Sequence, residues 1–251
     1  MDGMIPMTVA ARVLLVSALA VVAYGCAERP QVTRLSARPV APTEAIGPGE
    51  HRLGLGGLSR RDGTLYVPAR AATHTPVPLL VLLHGGGMRA DYFRFTFPIA
   101  EESGVAILTL DARANTWDGI DSPFGPDVVF LDAALRHTFD RVAVDPQRVA
   151  LGGVSDGGFY ALSVGLANGD LFTHLVAVSP GYFEPPGPPV GQPKIFVAHG
   201  TRDNVYNVTG SRNRIVPQLR AAGYDVTYRE FDGPHSMLPD TTREVLEWLR
   251  R

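Results

Sequence analysis

From Leu79 onward the chain alternates short apolar runs with segments of helical periodicity, and few architectures accommodate that order. The runs Leu79–Leu83, Val105–Leu110, Val149–Leu151, Leu175–Val178, Lys194–Ala198 and Val226–Phe231 predict strands, with an earlier strand at Thr64–Val67. Helices are expected around Tyr92–Ser103, Val128–Phe139, Gly157–Ala167, Arg214–Ala222 and Thr241–Arg251. Leu79–Leu83 carries no polar residue, as a strand buried on both faces requires. Strands interleaved with helices in this way imply an α/β fold with a mostly parallel central sheet and helices on both faces.

With 251 residues the chain suffices for one such domain, expected over residues 51–251. Residues 27–50 hold Pro30, Pro39, Pro42 and Pro48 without apolar periodicity and read as a tether. Residues 1–26 read as an export signal, because Arg12 precedes an apolar stretch from Val13 to Tyr24 that closes on Gly25-Cys26. Cys26 resembles the lipid-acceptor cysteine of a bacterial lipoprotein signal, which would anchor an envelope protein by an N-terminal lipid. It can equally flank an ordinary secretory cleavage site, giving a periplasmic or secreted protein. Cys26 is the single cysteine, so the domain forms no internal disulfide. A formal charge of -2 without basic runs argues against a nucleic-acid partner.

Chemistry concentrates where predicted strands end. Gly153-Val154-Ser155-Asp156-Gly157 falls between a strand and a helix, the setting in which Gly-x-Ser-x-Gly forms a nucleophile elbow that presents the serine hydroxyl at the carboxyl edge of the sheet. The N–H of Asp156, at the start of the following helix, is the expected first donor to an oxyanion. His84-Gly85-Gly86-Gly87 follows Leu79–Leu83 and resembles an oxyanion loop, with the second donor expected from the N–H of Gly86, Gly87 or Met88.

A serine hydroxyl needs a base, and the base needs a group that fixes its tautomer. His235, in the turn between the last strand and last helix, is the expected base. Asp203, in His199-Gly200-Thr201-Arg202-Asp203, is the expected acid, ahead of Asp225 and Asp232.

These motifs, together with Asp145-Pro-Gln-Arg-Val149, make the chain from Leu79 to Arg251 resemble the α/β-hydrolase superfamily. Within it the chain is similar to serine esterases of the phospholipase/carboxylesterase, dienelactone hydrolase-like and polyhydroxybutyrate depolymerase or feruloyl esterase group. The resemblance implies an α/β-hydrolase fold and carboxylic ester hydrolysis of a small or polymeric substrate through an acyl-enzyme, with no metal and no organic cofactor. Asp156 departs from the Gln, Ala, Met or Asn often found there; a carboxylate beside a developing oxyanion is unhelpful unless it is paired or turned away. The Pro- and Gly-rich interval between Val178 and Lys194 is too short for a large cap domain, and Trp117, Tyr182 and Phe183 are candidate pocket walls. A peptidase or acyltransferase on the same triad is the nearest alternative reading, and a non-catalytic envelope binding protein a more distant one.

Overall fold

The computed structural model describes residues 33–57, 60–73 and 75–251. The expected export signal, Cys26 and the first part of the expected tether lie outside the described residues.

Eight strands form one sheet: β1 (Gly49–Arg52), β2 (Gly63–Val67), β3 (Val77–Leu83), β4 (Ala106–Leu110), β5 (Val144–Val154), β6 (His174–Val178), β7 (Lys194–Gly200) and β8 (Val226–Phe231). Their spatial order is β1-β2-β4-β3-β5-β6-β7-β8. β1 with β2 and β2 with β4 pair antiparallel, and every later pairing is parallel. The chain leaves β3 on one side to form β4, then crosses back to form β5 on the other. That reversal opens a crevice beyond the carboxyl end of β3, where open α/β sheets take their ligands.

The apolar runs are explained by two covered faces. Along β3, Leu79, Val81 and Leu83 join one buried cluster and Leu80 and Leu82 the other, as strand alternation demands. Helices α1 (Phe97–Ser103), α2 (Pro126–Phe139), α3 (Asp156–Ala167), α4 (Val208–Gly210), α5 (Val216–Ala221) and α6 (Pro239–Leu249) complete the fold. Leu131 and Leu135 of α2, Leu162 of α3 and Leu219 of α5 pack in the first cluster; Phe97 of α1 and Val245 and Leu249 of α6 pack in the second. Residues 179–193 contain no helix or strand, so no cap domain rises there.

Three expectations need correction. The segment expected as a helix from Tyr92 is 3-10 over Ala90–Thr96 and becomes α-helical only at Phe97, because Pro98 lacks the N–H that would continue an α-helix backward. The helix expected from Arg214 is α-helical only from Val216, because Arg214 and Ile215 belong to a π-helical turn over Ser211–Ile215. Residues 33–50, expected as part of a free tether, lie on the domain. Leu35 N–H donates to Asn168 Oδ1 at 2.9 Å, and the N–H groups of Ser36 and Ala37 donate to Asp132 Oδ1 at 2.7 and 2.8 Å. Leu35 and Ala37 are buried. The segment has no periodicity of its own because side chains of the domain satisfy its backbone.

Candidate active site

β5 delivers Ser155 at φ 56, ψ −120, a conformation costly for a residue with a Cβ and held only by its surroundings. The sharp reversal brings Gly157 so close to β3 that an added Cβ would stand 1.9 Å from the Leu83 carbonyl oxygen. At Gly153 an added Cβ would stand 2.4 Å from the Gly157 backbone. Both glycines of the motif are therefore steric necessities of the turn. Ser155 N–H donates to the Val178 carbonyl at 2.9 Å, extending the β5–β6 ladder through the turn.

The loop after β3 is fixed through His84, whose Nε2 accepts the Ala112 N–H at 3.0 Å. The ring proton therefore sits on Nδ1, which donates to the Gly85 carbonyl at 2.7 Å. Burial holds the His84 imidazole below its usual range, consistent with a neutral ring. Trp117 Nε1 donates to the His84 carbonyl at 2.7 Å. The Gly85 carbonyl also accepts the Met88 N–H, and Gly87 N–H donates to Asn115. Two of the three expected loop donors, Gly87 and Met88, are thus already engaged. In a planar trans peptide the N–H points opposite the carbonyl, so fixing Gly85 C=O aims Gly86 N–H away from His84. A Cβ on Gly85 would stand 3.3 Å from Ser155 Cβ, which places this peptide against the serine.

β7 and β8 carry the expected acid and base on loops joined by backbone bonds, Thr201 N–H to Phe231 O at 2.8 Å and Arg202 N–H to Gly233 O at 3.0 Å. His235 Nδ1 donates to Asp203 Oδ2 at 2.6 Å. Asp203 Oδ1 accepts the N–H groups of Val205 and Tyr206, both at 2.9 Å. Burial pushes the Asp203 carboxyl up, but the bonds from His235, Tyr206 and Val205 outweigh it and hold the group below the usual carboxylate range. Asp232 is instead exposed and paired with Arg202 at 3.1 Å.

Ser155 and His235 line one cavity of about 300 Å³ with Gly85, Gly86, Met88 and Asp156. His235 Nε2 is buried without a hydrogen-bond partner among the described residues, so the bond to Ser155 is open. Such bonds commonly close only when substrate is bound.

The candidate pocket walls fare differently. Trp117 is buried, its ring tilted against those of His84 and Tyr160, and its Nε1 bond ties it to the loop after β3. Phe183 packs against the core and lines a separate cleft with Leu166 and Leu219. Tyr182 is exposed, its ring tilted against that of Phe159 with centroids 4.5 Å apart. Aromatic wall residues come instead from Tyr92 and Tyr206, with Val205 beside them. Tyr206 lies three residues beyond Asp203 and could have been considered with that loop; Tyr92 is distant in sequence and carried no signal.

The sequence matches the profile of the alpha/beta hydrolase family over residues 80–251. It is 26% identical over 182 residues to NocK of Nocardia uniformis subsp. tsuyamanensis, named as a candidate esterase; the match covers 68% of this chain and 52% of NocK. The chain thus spans about half the length of that curated relative. Among solved structures it is similar to esterase PE8, with TM-score 0.61 at 20% identity over 76% of this chain and 99% of that one. FphF, a fluorophosphonate-binding serine hydrolase of Staphylococcus aureus, gives TM-score 0.63 at 15% identity over 82% of this chain and 100% of its own. The Bacillus cereus carboxylesterase gives 0.58 at 19% over 79% and 97%. At these identities the structural likenesses establish the fold.

Proposed function

Because the chain belongs to the alpha/beta hydrolase family, we propose that it cleaves carboxylic esters through an acyl-enzyme, with Ser155 as nucleophile, His235 as general base and Asp203 as the acid that orients it. The observation that carries this reading is the 2.6 Å bond from His235 Nδ1 to Asp203 Oδ2, which leaves Nε2 free in the cavity that Ser155 lines. That bond fixes the tautomer in which Nε2 can accept a proton.

Ser155 Oγ attacks the ester carbonyl carbon while its proton passes to His235 Nε2, and Asp203 stabilises the imidazolium. The oxyanion takes the N–H groups of Gly86 and Asp156, each such donor lowering the barrier by about 3 kcal/mol. Collapse breaks the carbon–oxygen bond to the alcohol, which leaves with the proton from His235 Nε2. Water then attacks the acyl-serine, gives its proton to His235, and the acid departs as Ser155 recovers its proton.

The test is turnover of p-nitrophenyl esters from short to long acyl chains by the wild type and Ser155→Ala, with fluorophosphonate labelling of both. Turnover and labelling confined to the wild type are expected. Equal rates in both proteins, or neither turnover nor labelling in the wild type, refute the assignment.

A further inference from the structure

Resting on the esterase reading, we propose that this site selects esters that carry a cationic group near the reacting bond and disfavours anionic ones. The selecting group is the carboxylate of Asp156. Its backbone opens α3 directly after Ser155, and its half-buried side chain turns into the site rather than out to solvent. Oδ2 accepts the Thr116 hydroxyl at 2.6 Å. The same oxygen lies across Gly86, where an added Cβ would stand only 2.4 Å from it. The carboxylate is thereby pinned against the oxyanion loop.

Among the described residues only the partial positive charge of the α3 N-terminus faces it, and no full cation does. Thr116 is neutral, and among the described residues no lysine or arginine lines the cavity. Arg214, on the nearby helical turn, donates to the Gly181 carbonyl. Tyr92 and Tyr206 supply aromatic surface to the same cavity, and a ring face attracts a cation in addition to the carboxylate. Burial, followed by the Asp156 charge, raises the Tyr206 hydroxyl, so that ring lies within the field of the carboxylate.

A unit charge on a substrate about 7 Å from this carboxylate, at the effective permittivity of a protein surface, shifts relative rates by about tenfold or more. An anionic group is penalised by the same field. The negative site also works against the developing oxyanion, and the bond from the Thr116 hydroxyl disperses part of that charge.

Three acetate esters separate this inference from the reading beneath it: choline acetate, its uncharged carbon isostere, and an ester whose alcohol ends in a carboxylate. In the wild type kcat/KM should favour the cation over the anion by about a hundredfold, about tenfold on either side of the uncharged ester, and the ratio should shrink as salt rises from about 0.01 to 1 M. Asp156→Asn keeps the size, the backbone N–H and the Thr116 contact, and should bring the cation-to-anion ratio close to one whatever its absolute rate on the uncharged ester. A ratio unchanged in Asp156→Asn overturns the inference, as does a wild-type ratio indifferent to salt, and either leaves the esterase reading standing. Failure of the wild type on all three esters and on the p-nitrophenyl panel removes both.

Discussion

His199 Nε2 lies 3.1 Å from Oδ2 of Asp203, the oxygen that His235 Nδ1 also contacts at 2.6 Å. His199 is fully buried, and its Nε2 is also 2.8 Å from the Tyr206 carbonyl while Nδ1 is 2.7 Å from the Ser211 hydroxyl. A carbonyl and a carboxylate can only accept, so Nε2 carries the proton and Nδ1 takes the Ser211 hydroxyl as donor. On the proposed mechanism His199 acts through Asp203 as a positioning residue. Replacing it in His199→Leu, which offers no donor, should lower kcat about tenfold with KM little changed. Losing a donor to Asp203 strengthens the carboxylate's hold on the imidazolium, so the acid limb of the kcat/KM profile should move to higher pH. A profile that keeps its acid limb in place would assign His199 a packing role only.

Steric closure of the elbow gives a second expectation. Gly157→Ala forces a methyl group to within 1.9 Å of the Leu83 carbonyl, and backbone on both sides must part. The variant should lose about 3 kcal/mol of stability, read as a lower midpoint in urea, with activity falling further than stability alone explains. A variant as stable as the wild type would mean that the elbow relaxes freely.

The buried carboxylates beneath the oxyanion loop make stability depend on pH. Burial pushes the Asp127 carboxyl up to about 6, against the opposing N–H bonds from Asp118 and Arg113. Asp118 in turn accepts the Tyr160 hydroxyl at 2.7 Å and the N–H of Asp127 at 2.7 Å. The folded state holds the Asp127 proton more tightly than an unfolded aspartate, whose ordinary pKa is about 3.9. Acidification through about 6 thus adds stability to the wild type, and the increment saturates below about 4. Compared with Asp127→Asn, the wild type should gain about 1 kcal/mol between pH 7.5 and 5 in urea unfolding. A constant difference across that range would refute the raised carboxyl.

The parallel layering was legible because doubly covered strands such as Leu79–Leu83 are written without polar residues. That Ser155, Asp203 and His235 each follow a strand was legible from the apolar run before each, and the 2.6 Å contact of His235 with Asp203 joins two of them; their catalytic roles belong to the proposed reading. The crossing back over β3 was not legible, since strand order depends on which loops can span the sheet rather than on local pattern. Trp117 was misread as a pocket wall: an aromatic in a loop looks the same whether it faces substrate or, as here, donates to His84 from below. The arm at residues 33–50 was misread because its hydrogen-bond partners, Asp132 and Asn168, lie 96 and 133 residues away in sequence.

The elbow belongs to β3 and β5, while acid and base belong to β7 and β8, and β6 is the spacer that joins them through Ser155 N–H to Val178 and Ser179 N–H to Ala198. The acid–base pair is bonded within its own half of the sheet, and the open contact, Ser155 to His235, is the one that spans the divide. On the proposed mechanism, proton transfer from Ser155 to His235 crosses that divide and so depends on the twist of the sheet about β6. A substitution far from the cavity that changes that twist would retune the reaction while leaving every group that performs it intact.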